Sequence, residues 1–295
     1  MNPKPFLKWA GGKTQLLPNL IARAPQELKN GTITRYIEPF VGGGAFFFAI
    51  ASQFHVPHII LLDRNPDLIA AYRTIREQVS VLIDSLRDIS NQYHQLPKSQ
   101  QESFFYEQRK TFNALPTGEL EKTALLIFLN RTCYNGLYRV NSKGGFNVPF
   151  GRYKNPTICD ADNLRAVSNA LQNAEIIHGD FEQIETQTDA QTFVYFDPPY
   201  RPLSKTASFN SYAKSAFNDD EQRRLVASFG RMDKRGAKLM LSNSDPHNTD
   251  PDDDFFDVLY AGFHIDRVQA RRNINSKGGK RGAITELLIT NYAAA

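Results

Sequence analysis

The amino-acid sequence predicts an α/β fold with a mainly parallel sheet, and three observations predict it. Short runs rich in Val, Ile, Tyr and Phe recur along the 295-residue chain, as expected of strands buried in a sheet. Segments with apolar residues at three- and four-residue spacing, typical of helices, alternate with these runs. Glycine, proline or aspartate follows several of the runs, and strands of an open α/β sheet end in this way beside a ligand.

Seven runs are predicted to form strands, and seven segments are predicted to form helices. The first strand begins at residue 35, and the others cover residues 59–63, 175–178, 193–196, 238–241, 263–268 and 286–290. The helices cover residues 15–24, 45–51, 67–86, 101–113, 119–132, 162–171 and 219–234. Thr14 is expected to cap the first helix, because its hydroxyl can accept a hydrogen bond from a backbone N–H of the first turn.

Length, cysteine usage and hydropathy limit the class of protein. A chain of 295 residues can form one large domain, or a domain with an insertion, around a substantial core. Cys133 and Cys159 are the only cysteines, which excludes a disulfide framework, offers no zinc-ligand spacing and favours a cytoplasmic location. The longest apolar run, residues 39–51, is too short and too glycine-rich to span a bilayer, and the amino terminus lacks an apolar signal core. Neither a membrane nor a metal is expected.

Positive charge is concentrated in two stretches of the chain. The first basic stretch, residues 122–159, contains six Lys and Arg and no acid, and the second basic stretch, residues 267–285, contains six more and no acid. Because the net charge of the chain is +4, the two stretches together carry +12 and the remainder carries −8. This segregation favours a face that binds a polyanion, although either stretch alone could be a solvated loop.

A glycine pair near the amino terminus delivers two side chains to the start of the first helix. Gly11 and Gly12 interrupt regular structure, so Trp9 and Lys13 are expected in the loop that leads into the helix. The run Gly-Gly-Lys-Thr resembles the end of a phosphate-binding loop. That motif requires a glycine four residues before Gly11, where Leu7 stands, so a nucleoside triphosphatase is rejected.

Three glycines follow the first predicted strand. Gly42, Gly43 and Gly44 allow a ligand to approach the backbone closely. The next strand ends in Asp63, about 20 residues later, and an acid at this spacing can hold the hydroxyls of a ribose. The alternative is that Asp63 caps the helix that begins near Asn65.

Residues 193–200 read Phe-Val-Tyr-Phe-Asp-Pro-Pro-Tyr. Two prolines cannot continue a sheet ladder, so the strand must end and present Asp197 at its carboxyl end. The Asp197 carboxylate and the Pro198 carbonyl can both accept hydrogen bonds from an exocyclic amino group, while the Tyr200 ring can stack on a flat base. A strand that simply ends in a proline-rich turn is the alternative.

The distance between these motifs indicates an insertion. Gly44 and Asp197 are 153 residues apart, whereas three βα units of about 30 residues each would need about 90. The insertion is assigned to residues 67–158. Within it, residues 138–141 and 146–148 flank Ser-Lys-Gly-Gly and are predicted to form a β-hairpin, with Tyr138 and Val140 on one face and Arg139 on the other.

The motifs follow one another in a defined order. Lys-Trp-Ala-Gly-Gly-Lys at residues 8–13 comes first, then Glu-Pro-Phe-Val-Gly-Gly-Gly at 38–44, Asp63, the insertion, and Asp-Pro-Pro-Tyr at 197–200. This order resembles that of the Dam-type DNA adenine-N6 methyltransferases, over nearly the whole chain. Residues 131–141 and 146–153 of the insertion are more discriminating, because they resemble the target-recognition element of GATC-specific members.

The resemblance implies a Rossmann-like methyltransferase sheet with an inserted, mostly helical DNA-recognition domain that carries the hairpin. The catalytic domain would comprise residues 1–66 and 159–295, and the inserted domain residues 67–158. The cofactor would be S-adenosyl-L-methionine. The residues that would hold it are Trp9, Lys13, Phe40, Gly42, Gly44, Asp63, Asp180, Phe181 and Asp197.

The resemblance also implies double-stranded DNA as the partner of a monomeric enzyme. Its catalytic residues would be Asp197, Pro198 and Tyr200. Three residues would occupy or flank the gap left by an extruded adenine, namely Tyr134, Asn135 and Leu137. Arg139 and Pro149 would read bases, and Ser204 would contact the target strand. The remaining implied DNA contacts are Lys8, Arg131 and Asn141.

The reaction implied is direct in-line transfer of a methyl group to adenine N6, in double-stranded GATC, after the base is flipped out. Two other functions remain open. A methyltransferase acting on RNA or on cytosine N4 could use the same Asp-Pro-Pro-Tyr run, and a non-catalytic DNA-binding regulator would keep the basic stretches without needing the cofactor. The biological setting, whether restriction-modification, phage or repair, also remains open.

Overall fold

The computed structural model describes residues 1–201, 217–271 and 283–293. Ser204 and most of the second basic stretch lie outside these residues. The seven predicted strands are confirmed, and their bounds are β1 Arg35–Glu38, β2 His58–Asp63, β3 Ala174–His178, β4 Thr192–Phe196, β5 Lys238–Ser244, β6 His264–Arg271 and β7 Ala283–Thr290.

The described strands form a seven-stranded sheet in the order β3-β2-β1-β4-β5-β7-β6. β1 pairs in parallel with β2 and β4, and β4 pairs in parallel with β5. β7 is antiparallel to both β5 and β6, so the sheet is mixed rather than parallel throughout. All five residues of β4 are buried, which suits a central strand covered on both faces.

Nine α-helices lie in the described part of the chain. They are α1 Leu17–Ala22, α2 Gln26–Lys29, α3 Ala45–Gln53, α4 Pro66–Gln95, α5 Lys98–Ala114, α6 Leu120–Thr132, α7 Ala161–Ala170, α8 Asp219–Lys234 and α9 Phe255–Leu259. The seven predicted helices are all present. The predicted cap of α1 was wrong, because that helix begins three residues after Thr14 and its N-cap, Leu16, makes no side-chain capping bond.

Helix α4 is longer than its periodicity predicts and is interrupted at Gln78, where φ is −136° and ψ is 34°. Its cap is Asn65, whose side-chain oxygen accepts hydrogen bonds from the backbone N–H groups of Asp67 and Leu68. The helix-capping interpretation of Asp63 is therefore wrong. Asp63 lies two residues before this cap and accepts a hydrogen bond from the backbone N–H of Asn65 itself.

The chain divides into two compact units. The first unit contains Met1–Gly12, Gly42–Gln53 and Asp63–His178, and the second contains Lys13–Val41, Phe54–Leu62 and Gly179–Ala295. In the first unit, α4 packs against α6 and α7. In the second, β4 pairs with β5 and β5 pairs with β7, and α8 packs against β5. The predicted boundaries of the inserted domain, residues 67 and 158, stay a prediction.

The predicted hairpin is a short reversal of the chain. The backbone N–H of Asn141 donates to Gly145, and Val140 and Phe146 form a single antiparallel bridge. Tyr138 is half-buried and Arg139 is exposed, as the alternation predicts, but Val140 is 42% exposed rather than turned inward with Tyr138. Among the helices of the described residues, none combines the length and apolar composition that crossing a membrane requires.

Candidate active site

Asp197 stands directly after β4, at the carboxyl end of the strand. Strand order in the sheet reverses between β1 and β4, since β2 and β3 lie on one side of β1 and β4 lies on the other. Open α/β sheets bind ligands beside the carboxyl ends of the strands at such a reversal. Asp197 is therefore located where a substrate-binding residue is expected.

Lys13 provides the positive charge at Asp197. Its ammonium lies 2.8 Å from Asp197 Oδ1 and 4.6 Å from the centroid of the Tyr200 ring. The lysine side chain is 5% exposed and that of Asp197 is 23% exposed, so the pair is largely shielded from water. All three residues were predicted for the site, and the structure brings them into contact.

A second contact to Asp197 comes from β5. Ser242 Oγ donates to Asp197 Oδ1 at 3.1 Å and shares a 2.9 Å hydrogen bond with the Tyr195 hydroxyl. Burial raises the pKa of Asp197, while the Lys13 ammonium and the hydrogen bond from Ser242 act in the opposite direction. The net direction is upward, so Asp197 takes up a proton at a higher pH than an exposed aspartate does.

Tyr200 is anchored through its hydroxyl, which donates to Glu286 Oε2 on β7 at 2.6 Å. Burial raises the pKa of Glu286, and the hydrogen bond from Tyr200 and the Lys13 ammonium lower it. Neither Glu286 nor Ser242 was predicted. A signal was present for both, since Glu286 is the only acid in β7 and Ser242 follows an apolar run in β5.

An aromatic cluster contains two of the predicted cofactor residues. The rings of Phe40 and Phe181 have centroids 5.5 Å apart, and Phe217 lies 5.5 Å from Phe40 and 6.1 Å from Phe181. Asp180, the residue before Phe181, accepts a hydrogen bond from Arg224 at 2.6 Å. The structure thus groups Phe40, Asp180 and Phe181 in the second unit and adds Arg224, which was not predicted.

In the first unit, Trp9, Gly42 and Asp63 form a second group. The backbone N–H of Gly42 donates to Asp63 Oδ2 at 3.0 Å. A Cβ built on Gly42 would lie 3.0 Å from Trp9 Cδ1, so the indole takes up the space beside the glycine backbone. Burial raises the pKa of Asp63, and its hydrogen bonds with backbone N–H groups oppose that change.

Two tyrosines hold this group in place. The Trp9 ring stacks on Tyr138, with centroids 5.4 Å apart and an interplanar angle of 27°. The Tyr72 hydroxyl donates to the Gly42 carbonyl at 3.0 Å. Buried Asn130 fixes the residue before Trp9, because its side-chain amide accepts from the N–H of Lys8 and donates to the Lys8 carbonyl, both at 2.8 Å.

The residues predicted to contact DNA, Ser204 excepted, lie in the first unit. Six of them are exposed, namely Lys8, Tyr134, Asn135, Arg139, Asn141 and Pro149. Leu137 and Arg131 are half-buried, and Arg131 donates to the Phe6 carbonyl at 2.8 Å. The Asn141 side chain accepts hydrogen bonds from the backbone of Lys143 and Gly145, so it also shapes the turn of the hairpin.

The first basic stretch is only partly neutralised by acids. Lys122 lies 3.4 Å from Asp67, and Arg152 lies 3.2 Å from Glu102. Arg139, by contrast, donates to the Asn147 side chain at 2.7 Å and to the Asn147 carbonyl at 3.3 Å, neither of which carries charge. The hairpin therefore keeps its positive charge on an exposed surface.

A mixed seven-stranded sheet with Asp-Pro-Pro-Tyr at the end of a central strand is typical of methyltransferases that act on amino groups. A family model described as D12 class N6 adenine-specific DNA methyltransferase matches residues 9–274. The chain belongs to this family, and it is an adenine-N6 DNA methyltransferase by that membership.

Relatives along the full length agree with the family. The chain is 51% identical over 295 residues to the type II methyltransferase M.MjaIII of Methanocaldococcus jannaschii, covering 99% of this chain and 100% of that protein. It is 38% identical to the type II methyltransferase M1.LlaDCHI of Lactococcus lactis subsp. cremoris, with 99% and 96% covered. It is 33% identical to a DNA adenine methylase of Vibrio cholerae, with 96% and 94% covered.

Proposed function

We propose that the protein transfers the methyl group of S-adenosyl-L-methionine to adenine N6 within double-stranded GATC, after the adenine has been flipped out of the duplex. The observation that carries the proposal is the environment of Asp197. Its Oδ1 receives hydrogen bonds from Lys13 and Ser242, whereas no residue in the described part of the chain donates to its Oδ2. Oδ2 is thus the acceptor that remains for an incoming amino group.

Adenine N6 is a weak nucleophile, because its lone pair is delocalised into the ring. Hydrogen bonds from N6 to Asp197 Oδ2 and to the Pro198 carbonyl localise that lone pair and aim it along the transfer direction. When bound, S-adenosyl-L-methionine would supply an electrophilic sulfonium methyl group; the bond from that carbon to sulfur would break as the bond to N6 forms, the neutral thioether would leave, and N6 would release one proton to water. Tyr200 stacks on the flipped base and helps offset the cost of unstacking, which is a few kcal/mol.

The chemistry of the predicted cofactor residues fits S-adenosyl-L-methionine. A carboxylate offers about four acceptor positions, and the backbone N–H groups of Gly42, Asn65 and Arg64 hydrogen-bond to Asp63. An acceptor position therefore remains for a ribose hydroxyl. Among the residues of the second unit, Phe40 is half-buried and packs against the fully buried Phe181, so its ring offers aromatic surface that suits the flat adenine ring of the cofactor.

The hairpin fits the recognition of guanine at the first position of GATC. Arg139 donates to Asn147 through Nε and Nη2. The N–H groups of Nη1 and the second N–H of Nη2 remain available as donors. These two nitrogens form the end-on fork that donates to guanine O6 and N7 in the major groove. Asn147 therefore orients Arg139 through N–H groups other than those that donate to the base.

The experiment is methylation of short duplexes with cofactor labelled in its methyl group. One duplex carries GATC, a second carries the same bases in scrambled order, and a third carries GATC already methylated at both adenines. We expect label in N6-methyldeoxyadenosine from the first duplex only. Label in cytosine, or equal label in the scrambled duplex, would overturn the assigned base or the assigned site.

A further inference from the structure

Tyr200 is restrained at two points by residues of other elements. Its hydroxyl donates to Glu286 Oε2 at 2.6 Å, and the Lys13 ammonium lies over its ring, 4.6 Å from the centroid. The first contact fixes the tip of the ring, and the second covers one of its two faces. The orientation of the ring is therefore set by side chains outside the Asp-Pro-Pro-Tyr run.

A half-buried glutamate such as Glu286 is unexpected in this strand if its role is only structural. β7 reads Ala-Ile-Thr-Glu-Leu-Leu-Ile-Thr, and the three apolar residues that follow Glu286 are buried. A strand in this position needs a residue that packs on a pleated surface, and a half-buried carboxylate loses hydration there. Among the described residues, the Tyr200 hydroxyl offsets this loss by donating to Glu286, and the charge of Lys13 favours the ionised carboxylate.

The register of the sheet leaves Glu286 little freedom to move away from Tyr200. Glu286 pairs with Ser244 on β5 and with Val268 on β6, so its backbone is fixed from both sides. Tyr200, by contrast, follows two prolines beyond the end of β4 and pairs with no strand among the described residues. In this pair the glutamate is the fixed member and the tyrosine is the member that it holds.

We propose that Glu286 is a positioning residue for methyl transfer. It holds the Tyr200 hydroxyl so that the ring face opposite Lys13 meets a flat base whose amino group is bound at Asp197. This proposal rests on the proposed function, because it requires a base in the site. Glu286 acts through Tyr200 and is not itself required to touch the base.

A double-substitution cycle tests the proposal. The variants are Tyr200→Phe, Glu286→Leu and the two combined, and kcat and the KM for cofactor are measured with the GATC duplex. Each single change should lower kcat about fivefold to tenfold, since one hydrogen bond to a charged acceptor is lost, and should leave the KM within about twofold. In the Glu286→Leu background, Tyr200→Phe should cost nothing further, because its hydroxyl has already lost its partner.

Glu286→Gln and Tyr292→Phe serve as controls. The amide oxygen of Gln can still accept from Tyr200, so Glu286→Gln should keep kcat within about threefold of the wild-type value. The Tyr292 hydroxyl donates to the Arg23 carbonyl, so Tyr292→Phe also removes a phenolic hydrogen bond, but none made by the site residues. That variant should lower Tm and leave kcat unchanged.

A second readout does not depend on methyl transfer. A duplex with 2-aminopurine in place of the target adenine is bound without cofactor, and the fluorescence anisotropy of 2-aminopurine is measured. The anisotropy should be lower than in the wild-type protein, and by the same amount, in Tyr200→Phe and in Glu286→Leu. The double variant should show the same anisotropy as either single variant.

Two results would overturn the inference. Additive losses in kcat, with a fall in Tm like that of Tyr292→Phe, would make Glu286 a structural residue while leaving the proposed function intact. A wild-type protein that transfers no methyl group to adenine N6 would refute the proposed function, and the role of Glu286 with it.

Discussion

The ammonium of Lys13 lies 2.8 Å from one oxygen of Asp197, and this contact joins the segment before α1 to the end of β4 within the second unit. The lysine opposes the effect of burial on the Asp197 carboxylate, so more of that group stays ionised than burial alone would allow. An ionised carboxylate is the better acceptor for an amino group. The contact thus connects the electrostatics of the site to its proposed chemistry.

Replacing Asp197 with alanine should abolish methyl transfer without unfolding the protein. The loss of the N6 acceptor should cost on the order of 3 kcal/mol in the transition state, which lowers turnover at least 100-fold. Single-turnover rates on the GATC duplex measure the effect. Asp189→Ala, which removes a carboxylate at the other end of β4, is the matched control. Near-normal turnover by Asp197→Ala would show that the acceptor has been wrongly assigned.

The pH dependence of the reaction should depend on Lys13. Asp197 must be ionised to accept from N6, so the rate should fall as the pH drops through the pKa of Asp197, which burial has raised. Lys13→Met removes the ammonium that opposes this rise. The acidic limb of the profile of single-turnover rate against pH, at saturating cofactor, should therefore move to higher pH.

Lys122→Met is the control for that experiment. Lys122 is also shielded from water and lies 3.4 Å from an aspartate, Asp67, in the first unit. Its removal should leave the acidic limb in place. An unchanged limb in Lys13→Met would mean that another group controls the rate at low pH.

Trp9→Ala and Asp63→Ala should weaken cofactor binding more than DNA binding. Trp9 fills the space beside Gly42, and Asp63 receives the N–H of Gly42, so each change disturbs the surface proposed for the cofactor. Calorimetric titration with S-adenosyl-L-methionine and fluorescence titration with the duplex separate the two effects. Asp160→Ala, which removes the cap of α7, controls for a general loss of stability. Unchanged cofactor affinity in both variants would mean that the cofactor site lies elsewhere.

Gly44→Ala should destabilise the protein more than Gly31→Ala. Both glycines have positive φ, +69° and +79°, so each alanine carries a backbone strain of about 1–2 kcal/mol. A Cβ at Gly44 would also lie 2.5 Å from the hydroxyl of buried Tyr72, whereas a Cβ at Gly31 would have no atom of the described residues within 4 Å. The clash should add about 1–3 kcal/mol to the loss in free energy of unfolding. Chemical denaturation measures both, and equal losses would contradict the proposed close packing at Gly44.

Arg139→Ala should relax discrimination at the first base of GATC. The change should cost about 1–3 kcal/mol on the cognate duplex and much less on duplexes substituted at that base. Lys143→Ala, on the same exposed turn, should weaken binding to all sequences about equally and lower its salt dependence. Rates on the set of duplexes decide between the two roles. A uniform loss in Arg139→Ala, with the preference for guanine retained, would leave Arg139 as a contact to the DNA backbone.

The elements of this fold follow from local patterns in the sequence. All seven predicted strands and all seven predicted helices are present. Their signals are local, because hydrophobic patterns of period two or 3.6, and the prolines after β4, involve only residues close together in the chain. The sequence also singles out Asp63 at the end of β2, Asp197 directly after β4, and Trp9 and Lys13 in the loop that precedes α1. The boundaries were less certain, as the wrong cap at Thr14 and the length of α4 show, since packing against α6 and α7 extends a helix beyond its own signal.

The contacts between these residues, by contrast, depend on how the whole chain folds. The pairing of Lys13 with Asp197, the support of Asp197 by Ser242 and the anchoring of Tyr200 by Glu286 all join residues far apart in the chain. No local pattern encodes such contacts, because they follow from strand order and register. The order places β5 beside β4 and β7 beside β5, and the register then brings Ser242 and Glu286 near the carboxyl end of β4, where the chemistry is proposed.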